Sequence, residues 1–202
     1  MYTIKVTYRA ATETKAGLDY EKATVYFDPI PEDVANDLCI AVKTERKKRS
    51  KAEQTALIHF EAYLESVERV RKRMYVPNSI ESVEIVDSEK MATNQRLLVV
   101  ERNPKWLYNE KERNSMKSVQ ITYDAKVKIG TSYERGEVCT QLDFLDDKVV
   151  ESLIADLNAA PAKQSSHWFD LLQTLTFMNM LQGRIFIPTS IKMIQVVAEI
   201  PN

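Results

Sequence analysis

Glycine is scarce in this 202-residue chain, four in all. That scarcity removes most Gly-rich phosphate loops, which need bare backbone to approach an anion closely. Cysteine is scarcer still: Cys39 and Cys139 stand alone, with no C-x-x-C neighbour. Such spacing fits neither a disulfide scaffold nor a zinc site and suits a reducing compartment. No excess of either charge exists, since 28 Lys and Arg face 29 Asp and Glu for a net charge of -1. Wholesale electrostatic capture of nucleic acid or of an anionic membrane is therefore not expected, and any such partner needs a local patch. No apolar run approaches the roughly 20 residues that span a bilayer. The opening, MYTIKVTYRA, alternates like a strand and lacks the basic-then-apolar order of a secretory signal. A cytoplasmic chain is the expectation.

What the sequence does contain is a pattern written twice. Ile4-Lys-Val-Thr-Tyr-Arg-Ala10 is matched by Val119-Gln-Ile-Thr-Tyr-Asp-Ala125, 115 positions on. Lys15 to Lys22 matches Lys128 to Arg135 at an offset of 113, which aligns Gly17 with Gly130 and removes two residues from the hairpin loop. Asp28 and Asp143 return the offset to 115, as do Val34 with Val149 and Leu38 with Leu153. Tyr75 to Val86 then matches Phe186 to Val197 at an offset of 111. The two residues regained between Arg135 and Asp143 call for a β-bulge or mark a slip of the alignment. The expectation is an α+β protein, a tandem duplication of a β-β-α-α-β unit. Its sheets are antiparallel-rich, with helix pairs packed on one face. Residues 1–87 form the first copy and 118–202 the second, joined by a linker over 88–117 in which Leu97 to Val100 suggests a short strand.

Period and punctuation place the elements. Strands are expected over 2–11, 20–27, 79–86 and 190–199. Pro31, Glu32 and Asp33 open a first helix, where a missing N–H and acidic charge are favourable. Ser50 and Glu53 form a capping box ahead of a second helix. Leu57, Phe60, Leu64, Val67 and Val70 give that helix one inward stripe, with Glu61, Glu65, Glu68, Arg69 and Arg71 outside it. In the second copy, helices are expected over 146–158 and 166–182, with Gly183 as a stop. The last of these is apolar around most of its circumference and needs cover on a second side. The first copy, the linker with Trp106, Leu107 and Tyr108, or another subunit could supply it. Trp168, Phe169, Phe177, Met178 and Met180 are the protein-interface candidates.

No pattern of catalytic residues emerges, and no metal or cofactor is expected. His59 and His167 lack an H-E-x-x-H or similar setting and suit boundary positions. Cys39 and Cys139 read as small hydrophobes within a helix and a strand. Asp28 and Asp143 suit turn and helix-entry positions better than a shared proton or metal. Alternation places Tyr20 with Lys22, and Tyr133 with Arg135, on one sheet face, where they could bind a small anionic ligand such as a nucleotide; cross-strand pairing on a solvated face accounts for them as well. Arg46, Lys47, Lys48, Arg49 and Lys51 cluster between two helices and could contact phosphates, whereas the matching loop at Ala159 to Gln164 lacks the charge. Arg69, Arg71, Lys72 and Arg73 complement a helix C-terminus. The sum points to a non-enzymatic binding or assembly protein acting through protein–protein contacts or as a homo-oligomer, with nucleic-acid binding as the alternative. An accessory protein of a mobile element would suit such a chain, though no residue specifies it.

Overall fold

The computed structural model describes residues 2–86, 116–129 and 131–200. The expected linker strand at Leu97 to Val100, and Trp106, Leu107 and Tyr108, lie outside the described residues. The fold is α+β, with two antiparallel sheets and two helix pairs. Of the described residues, 2–62 and 74–86 form one compact unit, and 63–73 with everything from 116 onward forms the other. The second unit thus takes in the last turns of a helix that the sequence assigns wholly to the first copy. Its first strand also begins at Met116, two residues before the expected boundary.

In the first unit, β1 (Tyr2–Thr14) pairs with β2 (Gly17–Ile30) on one side. Its other side carries β3 (Met74–Tyr75) and β4 (Ser82–Val86), end to end. The strand expected over 79–86 is β4, three residues shorter at its start, and β3 is a further short strand ahead of it, separated by a detour in which Asn78 takes φ 58. Between β2 and β3 come α1 (Glu32–Lys43) and α2 (Lys51–Val70). Ser50 and Glu53 close the expected capping box, each backbone N–H bonded to the other's side chain at 3.1 and 3.2 Å. Ile4, Val6, Tyr8 and Ala10 alternate into the core of this sheet, where they are fully buried. Phe27 meets Phe60 edge-on at 5.7 Å.

The second unit repeats this layout. Its strand β5 (Met116–Ile129) pairs with β6 (Ser132–Asp146), and on the other side with β7 (Arg184–Phe186) and β8 (Met193–Ile200). Between them lie α3 (Asp147–Leu157) and α4 (Ser166–Leu181). Tyr123 packs edge-on against Phe186 at 5.2 Å, at the place where Tyr8 packs against Tyr75 in a tilted arrangement at 5.9 Å. Four residues shorter than α2, α4 loses about one turn and keeps its phase. Trp168, Leu171, Leu175, Met178 and Leu181 are buried where α2 buries Leu57, Phe60, Leu64, Val67 and Val70, each 111 positions earlier.

Strand pairing corrects the sequence alignment. Ile4 faces Phe27 and Thr14 faces Gly17; Val119 faces Leu142 and Ile129 faces Ser132, so every partner lies 115 positions on. No residue drops out of the hairpin loop, and pairing runs unbroken from Arg135 to Leu142. Gly17 therefore corresponds to Ser132, Tyr20 to Arg135, and Lys22 to Glu137. A bulge does exist, but beyond Phe27 and Leu142, where the register shifts between Tyr2 and Ile4 and between Lys117 and Val119. Asp28 and Asp143 sit at these bulges. Pro29 lacks the N–H a ladder would use, and Phe144 takes φ 63.

Candidate functional site

The face of each sheet turned away from its core carries an ionic cluster. On the first sheet Arg9 and Lys22 stand directly opposite each other, a like-charge pair that destabilises neighbouring strands. Glu81 binds both, its carboxylate 3.3 Å from Arg9 Nε and 2.8 Å from Lys22 Nζ. Hydrogen bonds from Lys22 and then Arg9 hold the Glu81 carboxyl below its ordinary range. On the second sheet Asp124 stands opposite Glu137, and Lys192 binds both at 2.6 and 2.9 Å. Arg135 adds contacts of 2.9 and 2.6 Å to Asp124. Lys192 and then Arg135 hold the Asp124 carboxyl low, while Asp124 and Glu137 raise the Lys192 ammonium.

These clusters use the residues expected to line an anion site. Tyr20 and Tyr133 are exposed as alternation predicts, but Lys22 and Arg135 each already hold a carboxylate. A ligand anion would have to displace Glu81 or Asp124. The match of Tyr20 and Lys22 with Tyr133 and Arg135 behind the paired site also fails, because Arg135 occupies the position of Tyr20.

The basic segment forms a 3-10 turn, Arg46–Lys48, with all three side chains exposed. Lys48 pairs with Glu45 at 2.9 Å, and Arg49 Nε donates to the Thr44 carbonyl at 3.0 Å. Among the described residues Arg46, Lys47 and Lys51 have no ion pair. Their positive charge faces water.

The interface candidates on α4 divide. Trp168 and Met178 are core residues, Phe177 is half-buried, and Phe169 and Met180 remain 55% and 44% exposed. Ile154 of α3 is exposed as well. The side of α4 bearing Asp170 and Gln173 is met by Arg69, whose guanidinium lies 3.5 Å from the Asp170 carboxylate and donates to Gln173 Oε1 at 2.8 Å. Lys72 reaches Asp146 at 3.3 Å, and Arg71 donates to the Asp143 carbonyl at 3.1 Å. Residues 63–73 thus supply part of the cover that the apolar helix requires.

Glu68 departs from its expected place on a solvated helix surface. It is fully buried, held by Arg71 at 3.0 Å and Arg73 at 2.6 Å. Two guanidiniums make such burial tolerable, since an unpaired carboxylate there would lose its hydration uncompensated. Nearby Tyr63 is also buried, and burial first, against the opposing charge of Arg71, pushes its phenol up to about 12. The place of Glu68 off the apolar stripe predicts a solvated side chain, but Arg71 and Arg73, three and five residues on, supply its partners in a buried setting.

Asp143 lies at the bulge inside β6, three residues before the strand gives way to α3 at Asp146, and not at the helix entry expected of it; it accepts from Ser118 Oγ at 2.5 Å and Gln141 Nε2 at 2.7 Å, a structural role. Cys39 is half-buried, its thiol donating to the Val83 carbonyl at 3.5 Å, and desolvation raises it. Cys139 lies in a strand as expected but is exposed on the outer face of β6, where a small hydrophobe gains nothing by burial. Both histidines are half-buried boundary residues. Buried Asp156 caps α4 by accepting from the Ser165 backbone N–H at 3.0 Å and from its hydroxyl. Among the described residues no group of three or more His, Cys, Asp or Glu could hold a metal ion, and no helix is long and apolar enough to cross a membrane. No protein-family model matches the chain, and no match was found among curated proteins or solved structures.

Proposed function

We propose that this chain is a non-enzymatic binding or assembly protein of the cytoplasm, acting through contacts with another protein or a second copy of itself. Its two segments derive, in this reading, from tandem duplication of one β-β-α-α-β unit. Support for the duplication comes from the constant offset of 115 through both hairpins, bulges included. Two free cysteines are in keeping with a reducing compartment.

The observation that carries the binding role is the exposed apolar surface of α3 and α4. Ile154, Phe169 and Met180 keep 40%, 55% and 44% of their surface in water, on or beside a helix whose one acid is Asp170 and which has no lysine or arginine. Covering such groups gains roughly 25 cal/mol per Å². The test is solution mass together with capture of proteins from the native host, for the parent chain and for Phe169→Glu with Met180→Glu. A parent that assembles or captures a defined partner, and a variant that does neither, supports the role. A monomeric parent without partners counts against it.

Nucleic-acid binding is the second reading, favoured by the exposed charges of Arg46 and Lys47. Retention on DNA or RNA at low salt, falling with added salt and abolished by Lys47→Glu with Lys48→Glu, would promote it. Lack of retention at low salt would remove it.

A further inference from the structure

Each closing strand, β4 and β8, must find one of two central strands that look alike. Backbone contacts beside the clusters give no basis for the choice, although farther along β8 pairs through a register shift at Ser118/Val119 that β4 lacks. The Ser79 hydroxyl accepts from the Arg9 N–H and donates to its carbonyl, and the Ser190 hydroxyl does the same with Asp124. Glu81 N–H bonds the Thr7 carbonyl and Lys192 N–H bonds the Thr122 carbonyl, both at 2.8 Å. Apolar pattern gives no basis either, since Val83 faces Val6 just as Ile194 faces Ile121.

What differs is sign. Arg9 corresponds to Asp124, Lys22 to Glu137 and Glu81 to Lys192, so three equivalent positions carry plus, plus, minus in one sheet and minus, minus, plus in the other. We infer that this inversion assigns each closing strand to its own sheet and excludes exchange between β4 and β8, within one chain or between copies. Moved onto β1, β8 would set Lys192 beside Arg9 and Lys22, three cations together. Moved onto β5, β4 would set Glu81 beside Asp124 and Glu137, while Arg135 is already engaged by Asp124. Either exchange turns two attractions into two repulsions and also separates the Lys5–Glu84 pair, whose counterpart in the second sheet is Gln120 with Gln195. Tandem units of similar fold are prone to this kind of misassembly.

A disulfide reports the exchange. Ser82 natively faces Thr7, and Thr122 faces Met193, so Ser82→Cys with Thr122→Cys, in a chain carrying Cys39→Ala and Cys139→Ser, can join only if β4 lies on β5. The chain is refolded from denaturant with its thiols reduced and is oxidised only once folded, so that no cross-link forms in the unfolded chain, and cross-linked peptide is measured by mass spectrometry. Adding Arg9→Asp, Lys22→Glu and Glu81→Lys keeps each cluster internally complementary but makes the two sheets alike in sign. The cross-linked fraction should then rise roughly tenfold over that with native charges. With native charges it should rise as salt screens the clusters. An unchanged fraction in the triple variant overturns the inference. If that variant fails to refold, a flat response across the salt series overturns it instead.

Discussion

The ends of α2 and α4 meet one geometrical requirement with different chemistry. After Val70 and Leu181 complete their stripes, the chain leaves each helix through positive φ, 57° at Lys72 and 68° at Gly183. One turn earlier each helix buries a polar side chain at the same position. In α2 it is Glu68, bound by two arginines; in α4 it is Asn179, whose amide donates to the Tyr123 hydroxyl at 2.8 Å and the Leu175 carbonyl at 2.7 Å. The position demands hydrogen bonds, not charge. An ionised group placed there depends wholly on its counter-ions, whereas a neutral amide does not.

That contrast can be broken at Glu68. Glu68→Ala should destabilise the protein by about 3 kcal/mol in chemical denaturation, because two guanidiniums lose their buried partner. Asn179→Ala should cost nearer 1 kcal/mol. Equal losses would show that the ionic and neutral solutions are energetically alike. The helix exits sharpen the comparison with a smaller effect: Gly183→Ala should lose about 1 kcal/mol, and Lys72→Gly should gain about 0.5 kcal/mol by relieving a left-handed lysine. A loss for Lys72→Gly would mean that its contact with Asp146 outweighs the strain. Smallest is the acid limb of stability. Glu81 and Asp124 have folded pKa values below their ordinary 4.5 and 3.8, so their contribution is complete above those values and is lost as pH falls through the depressed ones. Melting temperature followed downward from pH 4.5 should fall less steeply in Glu81→Gln than in the parent.

Elements whose signals are local were legible in the sequence. The Ser50–Glu53 capping box, the Gly183 stop and the buried stripe of α2 stand where pattern put them. The offset of 111 joining Tyr75 to Phe186 also holds, because apolar alternation has to match the core face of a sheet. The hairpins were misread for a physical reason. Gly17 and Gly130 drew the alignment two residues out of register, yet Gly17 takes φ 122 at the first position of β2, where the second hairpin has Ser132. A two-residue loop can meet its backbone needs at different places. Once the register slipped, Lys22 aligned with Arg135, and the charge inversion was hidden behind two apparently equivalent cations. Glu68 was beyond reach because a helical wheel shows which side a residue occupies, not what covers that side.

The spacing of the strands along the chain gives protein synthesis a part in their sorting. Translation completes β4 at Val86, thirty residues before β5 begins at Met116, so a nascent first sheet can close while its rival has yet to be made. By the time β8 leaves the ribosome, the matching edge of β1 is already occupied. Timing and electrostatics then favour the same partners during first folding. Only a chain that has been completely unfolded, by heat or chemical stress, must sort its strands without help from chronology.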